Sequence, residues 1–378
     1  MKILHVADTH LGYSAYRKVT EDGINQREQD TYDVFKQFVD YALETKPDLI
    51  LHGGDLFDSV RPTNRAITFA IQQILRLSKK GIPFIVIAGN HEHPKLKETG
   101  HIFSIFEHIK HVYPIYKEHY ETISFTIKKE KLTIHAIPQC SIKTDFEREI
   151  KKPKQDGAAS YNIFMAHGAV KGIKEFSMNE FNELMIPTSA LKKKFDYIAL
   201  GHYHKYTKLE DNAFYAGSPE RFTFTDAGEQ KGFIELELKK TLKRKFIPLK
   251  TRTMIDAVPI NCKGLPIEKL MKAIKETIMG IQPAGKIFRI SLEDIPSPVY
   301  RGIDFRAIRE LSGGAVHYEI KANVVDEANV KRYETAKIGA LINEFDLFLK
   351  DQKVEEKQTL RKLGMEYIER FITEKEGT

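Results

Sequence analysis

The 378-residue chain has no tryptophan and only two cysteines, Cys140 and Cys262. So few cysteines exclude a disulfide framework and suit a reducing compartment. No window reaches the ~18 consecutive apolar residues of a membrane span, and Asp8 interrupts the first apolar run before it attains signal-peptide length. Internal repeats and low-complexity segments are lacking as well. Excess charge is slight: 59 Lys and Arg stand against 52 Asp and Glu, a formal net charge of +7. That excess is compatible with an acidic polymer as partner but does not by itself mark one. These absences predict a cytoplasmic protein, or a nuclear one in a eukaryotic cell, with no membrane association. What is present, 42% hydrophobic and 29% charged residues, is a globular balance. The length predicts two or three domains.

Apolar runs rich in Ile, Val, Leu and Phe occur at Ile3–Ala7, Leu49–Leu51, Phe84–Ala88, Ile163–Ala166 and Tyr197–Leu200. Between the first three lie two patterns with the three-and-four spacing of amphipathic helices. One is Val34, Phe35, Phe38, Val39, Ala42, Leu43; the other is Ile67, Ala70, Ile71, Ile74, Leu75. Alternating strands and helices predict an α/β (α+β) fold in which buried sheet is flanked by helices. From Tyr120 the strands lie closer together. Past Lys250 the character changes. Residues 257–325 read as a small α+β unit, with strands near Ile287–Leu292 and Val316–Ile320, a helix near Ile267–Met279 and a loop at Pro296, Pro298 and Gly302. The last fifty residues read as a helix pair. Ile338, Leu341, Ile342, Phe345, Phe348 and Leu349 form one apolar stripe; Leu360, Leu363, Tyr367, Ile368, Phe371 and Ile372 form the other. Residues 329–378 carry ten basic and ten acidic side chains, a net charge of zero, which suits a helical module packing on apolar surface better than a DNA-binding arm.

Each of the five apolar runs ends in residue types that ligate metals. Asp8-Thr9-His10 follows the first, Gly53-Gly54-Asp55 the second and Gly89-Asn90-His91-Glu92 the third; His167-Gly168 and Gly201-His202-Tyr203-His204 follow the last two. Open α/β folds bind ligands beyond the carboxyl ends of their strands, so five such ends can converge on one cleft. Asp8 and His10 are two residues apart, as are His202 and His204, and so can point the same way from extended chain. Asp, Asn and His without Cys form an oxygen and nitrogen set suited to Mn, Fe or Zn. Seven ligands exceed one coordination sphere but fit two ions sharing a carboxylate. Such a pair clamps the attacking and leaving oxygens of a phosphoryl displacement.

These five motifs resemble those of the calcineurin-like metallophosphoesterase superfamily. His10-Leu11-Gly12-Tyr13, Gly54-Asp55-Leu56-Phe57, and Gly217-Ser218-Pro219-Glu220-Arg221 followed by Lys231-Gly232-Phe233 are similar to the SbcD/Mre-eleven nucleases of DNA double-strand-break repair. The resemblance implies a β-sandwich nuclease domain at residues 1–250, a small α+β capping domain that binds DNA at 251–326, and a helical tail at 327–378. It implies two Mn²⁺ per chain. Asp8, His10, Asp55 and His204 would hold one, and Asp55, Asn90, His167 and His202 the other, with Asp55 bridging. His91 would contact the scissile phosphate and Glu92 would orient it. Some members of the family carry a histidine where this chain has Asp58. The implied activity is Mn-dependent exonuclease and endonuclease action on double- and single-stranded DNA. The implied partners are a Rad-fifty/SbcC-type coiled-coil ABC ATPase, bound through the C-terminal helices, and a second copy of the chain. For that homodimer, Ile67, Ile71 and Ile74 together with Ile102, Phe103, Ile105 and Phe106 offer apolar surface or core. The alternatives are a phosphoesterase acting on another substrate and a non-catalytic scaffold. Arg221 and Lys205 adjoin the motifs, where a phosphate contact and a structural role are both open. His5, His52, His101, His135 and the remaining histidines outside the motifs read as ordinary core or surface residues, and His93 is unassigned.

Overall fold

The computed structural model describes residues 1–94, 99–171, 183–192, 194–239, 241–325, 345, 349 and 357–376. In chain order its strands are β1 (Lys2–Val6), β2 (Leu49–His52), β3 (Phe84–Ile87), β4 (Val112–Ile115), β5 (Glu121–Ile127), β6 (Glu130–Ile137), β7 (Tyr161–His167), β8 (Ala169–Val170), β9 (Met185–Ile186), β10 (Tyr197–Gly201), β11 (Thr207–Lys208), β12 (Ala213–Tyr215), β13 (Gly232–Glu237) and β14 (Lys243–Pro248). Twelve of them build two six-stranded sheets, ordered β14-β13-β1-β2-β3-β4 and β11-β12-β10-β7-β6-β5. Strands β1 to β4 run parallel, as do β6, β7, β10 and β12. The antiparallel pairings are those of β13 with β1 and β14 on the first sheet, and of the edge strands β5 and β11 on the second.

The inner faces of the two sheets meet in one core. Ile3, Leu49, Leu51, Ile85 and Ile87 from the first pack with Ile134, Ile163, Met165, Tyr197 and Phe214 from the second. The outer face of the first sheet, with Leu4, Val6, Ile50, Phe84 and Val86, is covered by helices α1 (Gln26–Thr45) and α2 (Asn64–Lys79). The second sheet turns Phe164, Ala166, Ile198 and Leu200 toward Phe146, Ile150 and Leu191 on its own outer side. The central strands are therefore apolar on both faces. That is why they read as nearly continuous apolar runs rather than as alternating patterns.

The helices follow from their caps and stripes. Asn25 accepts from the Arg27 N–H at 2.9 Å to start α1, which buries Val34, Phe35, Phe38, Val39 and Ala42 as expected and ends at left-handed Lys46. Thr63 caps α2 by accepting from the Ala66 N–H. Its buried line runs through Ala66, Ala70, Ile74 and Leu77, while Ile67, Ile71 and Leu75 are half-buried beside it. Of the residues open to a dimer-surface or a core reading, Ile74, Phe103 and Phe106 are core; Ile102 and Ile105 are half-buried.

The chain divides into two compact units, Met1–Ala257 with Thr277–Arg289 and Arg309–Glu319, and Val258–Glu276 with Ile290–Ile308 and Ile320–Thr378. In the C-terminal part, strand Ile287–Pro296 pairs in parallel with Met254–Asp256 and with Ile260–Asn261, and His317–Val325 joins the same sheet. The expected helix spans Ile267–Ile281. The expected loop at Pro296–Gly302 is instead a short helix, Ser297–Arg301. Pro298 occupies its first turn, where a missing N–H costs nothing.

The second helix of the expected tail pair spans Lys357–Glu376, with Leu360, Leu363 and Tyr367 exposed at 42%, 52% and 66%. The first stripe lies outside the described residues except for Phe345 and Leu349. Gly364 faces Phe345 so closely that a methyl group there would lie 2.1 Å from the ring. No helix among the described residues is long and apolar enough to cross a membrane.

Candidate metal centre

Five strand ends meet at the carboxyl edge of the sandwich, three from the first sheet and two from the second. The loops after β1 and β2 are zipped together. Asp8 N–H donates to the Gly54 carbonyl at 2.9 Å, His10 N–H to that of Asp55 at 3.0 Å and Leu11 N–H to that of Leu56 at 2.8 Å. Asp8, His10 and Asp55 all take left-handed backbone, with φ of 54°, 44° and 53°. Such residues cost on the order of 1–3 kcal/mol each and persist where the surroundings over-determine them. Two glycines make room for the side chains. A Cβ on Gly54 would sit 2.3 Å from His167 Nδ1, and one on Gly89 would sit 2.1 Å from Asp55 Oδ1.

All seven ligand candidates come together. Asn90 Oδ1 lies 2.9 Å from His167 Nε2 and 3.1 Å from His202 Nδ1. Asp55 Oδ2 is 3.3 Å from His167 Nε2 and 3.8 Å from His10 Nε2. His10 Nε2 faces His204 Nε2 at 3.2 Å. Three sets bring one donor atom per residue within 4.8 Å of each other: Asp8, His10 and His204; His10, Asp55 and His91; Asp8, Asp55 and His167. Asp8 thus reaches both halves of the site.

This cluster suits bound cations better than hydrogen bonding among its own members. Asp8 Oδ2 is buried with no hydrogen-bond partner among the described residues. Two ring nitrogens confront each other at 3.2 Å, and the donor set is oxygen and imidazole nitrogen with no thiolate. Burial raises the Asp8 carboxyl, against the charge of His167. Burial also works to raise that of Asp55, but the charge and hydrogen bond of His167, then His91 and His10, hold it well below the carboxylate range. Burial opposes a charge on His167, yet Asp55 and then Asp8 bring its imidazole up to about 10. His204 is held well below the usual histidine range by burial and then by His10.

His91 has a third of its side chain exposed. Its N–H donates to Asp55 Oδ1 at 3.0 Å, and its Nδ1 lies 3.0 Å from the Asp58 carbonyl. Glu92 does not hold it, contrary to expectation. The buried Glu92 carboxylate accepts from the Gly89 N–H at 3.0 Å and the Leu56 N–H at 3.4 Å, and burial, then Asp55, push its carboxyl up to about 8. Glu92 therefore braces the loops after β2 and β3.

One contributor, Asp58, enters the sequence reading only as a departure from the family pattern, and two others, Glu183 and Phe222, have no place in it. Asp58 Oδ1 lies 3.2 Å from His10 Nδ1, so this acid steadies a candidate ligand. Glu183 Oε1 accepts from His202 Nε2 at 2.9 Å. Phe222, buried, sets its ring edge-on to His10 and His204, with centroids 4.9 and 5.3 Å away. An acid three residues after Asp55 was a signal for the first; the other two come from distant chain. Arg221 is spent on structure: its guanidinium donates to Thr251, to the Arg252 carbonyl at 2.9 Å and to the Glu229 carbonyl. Lys205 pairs with Glu229 at 3.4 Å. His5 and His52 are fully buried core residues, bonded to Tyr197 and Thr9 and held down to about 3 by burial.

The family model for calcineurin-like phosphoesterases matches residues 1–206. The DNA double-strand break repair protein Mre11 of Sulfolobus acidocaldarius is 30% identical over 347 residues, covering 88% of this chain and 85% of that protein. The Mre11 proteins of Sulfurisphaera tokodaii and Saccharolobus solfataricus are 36% and 35% identical over 212 and 229 residues, covering 54% and 58% of this chain and 49% and 55% of theirs. A purple acid phosphatase from yellow lupin seeds superposes with a TM-score of 0.37 at 15% identity, covering 62% of this chain and 48% of its own. The chain belongs to the calcineurin-like phosphoesterases and, within them, to the Mre11 branch. It is a metal-dependent phosphoesterase.

Proposed function

We propose that this protein is a Mn-dependent DNA nuclease that processes double-strand-break ends as exonuclease and endonuclease. One observation carries the two-metal part of that reading. Asp55 stands between the two halves of the ligand cluster, with Oδ2 3.3 Å from His167 and 3.8 Å from His10 while Oδ1 accepts the His91 N–H. In this reading Asp8, His10, Asp55 and His204 hold one Mn²⁺, and Asp55, Asn90, His167 and His202 hold the other. Two divalent cations held there would neutralise phosphodiester charge and favour in-line attack by water. The chain's own part is to orient. Asp58 directs His91 through its carbonyl, so that Nε2 meets the scissile phosphate or the leaving oxygen. The buried walls, Phe222 among them, keep bulk water off the ligand rings.

The same reading assigns residues 1–250 to the nuclease domain, 251–326 to a DNA-binding cap and 327–378 to a tail that docks a Rad-fifty/SbcC-type ATPase. Exposed Leu360, Leu363 and Tyr367 support the tail assignment, since uncovered apolar surface of this kind marks interaction sites. A homodimer would use half-buried Ile67, Ile71, Ile102 and Ile105; light scattering at micromolar concentration tests it, and a monomer there rejects it. The nuclease itself is tested with end-labelled duplex and single-stranded DNA, with and without Mn²⁺. Cleavage that needs Mn²⁺ is expected; intact DNA beside hydrolysis of a phosphopeptide would reassign the substrate.

A further inference from the structure

Lys231 directly precedes β13 and is 2% exposed. An ammonium has three N–H donors, and here all three are engaged. They reach Asp226 Oδ1 at 2.7 Å, Glu229 Oε2 at 3.1 Å and the main-chain carbonyl of His204 at 2.9 Å. That carbonyl also accepts from the Ser218 N–H at 2.9 Å and faces the Ser218 hydroxyl at 3.3 Å. Gly217, at φ +75°, lies against the same stretch of backbone: a Cβ there would be 2.6 Å from the Tyr206 nitrogen. The partner of the ammonium does a second job. Asp226 Oδ2 accepts from the N–H groups of Phe222 and Thr223 at 2.9 and 3.1 Å, and the Phe222 ring is the wall against His10 and His204. One buried ion pair therefore fixes both the main chain of a ligand and the surface its ring rests on.

We propose that Lys231 is a positioning residue of the metal centre, which sets the His204 ring through the His204 carbonyl and so controls the site that His204 shares with Asp8 and His10. This rests on the two-metal reading above. The other site does not depend on Lys231 in the same way. His202, two residues earlier, is anchored by its own N–H on Asp8 Oδ1 at 2.8 Å and by Glu183 on its ring Nε2 at 2.9 Å. Losing a group that orients a ligand typically costs ~10- to 100-fold in metal affinity, and here the loss falls on one site of two.

The test is Mn²⁺ titration by calorimetry of wild type, Lys231→Met, and the double variant Lys231→Met with Glu229→Gln. The double variant removes a carboxylate together with the ammonium, which protects folding if the single variant fails. Hydrogen exchange of residues 202–206 in the metal-free proteins is read alongside. The expected result is one Mn²⁺ bound as in wild type, the other bound roughly 10- to 100-fold more weakly, and faster exchange across 202–206. Two unchanged affinities with unchanged exchange would overturn the proposal, as would equal weakening of both sites. A wild-type protein that takes up fewer than two Mn²⁺ counts against the two-metal reading instead, and the exchange data then decide the role of Lys231 by themselves.

Discussion

The His202 N–H donates to Asp8 Oδ1 at 2.8 Å. A side chain delivered by β1 of one sheet thus holds the main chain that leaves β10 of the other. The second oxygen of the same carboxylate is buried without a hydrogen-bond partner among the described residues. Asp8→Asn keeps an acceptor for His202 but loses the charge. It should fold normally and lose Mn²⁺ affinity by more than the ~10- to 100-fold that follows from removing a group that merely orients a ligand. Calorimetric titration checks this, and wild-type affinity would remove Asp8 from the ligand set.

Asp58 holds two histidines by two different atoms. Its carboxylate meets His10 Nδ1 at 3.2 Å, and its carbonyl meets His91 Nδ1 at 3.0 Å. Asp58→Ala removes the first contact, together with the longer 3.8 Å approach of the same carboxylate to His91 Nδ1, and keeps the carbonyl that His91 meets. Cleavage should then need about 10- to 100-fold more Mn²⁺ while approaching the wild-type maximum when saturated. A fall in the saturated rate with no change in Mn²⁺ dependence would place Asp58 at the phosphate.

Gly89 is packed against the carboxylate proposed to bridge. An added methyl group would fall 2.1 Å from Asp55 Oδ1, whereas at Gly157 it would meet open space. Gly89→Ala should abolish Mn²⁺ binding and nuclease activity, and Gly157→Ala should change neither. Metal analysis of both purified variants decides the matter.

Much of this was legible in the sequence because the central strands are buried on both faces. Their apolar runs are interrupted only by His5, and each gives way to polar ligand types where it leaves the sheet. Residue chemistry alone therefore picks out Asp8, His10, Asp55, Asn90, His167, His202 and His204 as candidates, and the structure brings them together. The contacts between loops were not legible. Glu92 sits beside His91 in the chain, yet its carboxylate serves Gly89 and Leu56. Lys231 lies 27 residues from the carbonyl it holds, a distance that no local pattern encodes. The α2 stripe reads to one side because Ile67, Ile71 and Leu75 are large: Ala70 and Ile74 are in it and buried, but Ala66 and Leu77, also buried, are not. At Pro296–Gly302 the prolines read as a loop signal, yet Pro298 opens a helix, and the two share one composition.

Deletion of residues 329–378 should leave Mn-dependent cleavage of short DNA intact and abolish co-purification with the coiled-coil ATPase. The exposed Leu360, Leu363 and Tyr367 motivate it. Full-affinity capture of the ATPase by the truncated chain would reject the docking role.

The most direct test counts Mn²⁺ per chain and measures DNA cleavage on the same samples of wild type, Asp55→Ala and His91→Ala. The account predicts two ions and cleavage for wild type, and damage to both sites with loss of cleavage for Asp55→Ala. For His91→Ala it predicts two ions with turnover reduced roughly 10²- to 10⁴-fold, the range for a positioned acid–base group. Two ions and normal cleavage in Asp55→Ala, or near-normal cleavage in His91→Ala, would contradict it.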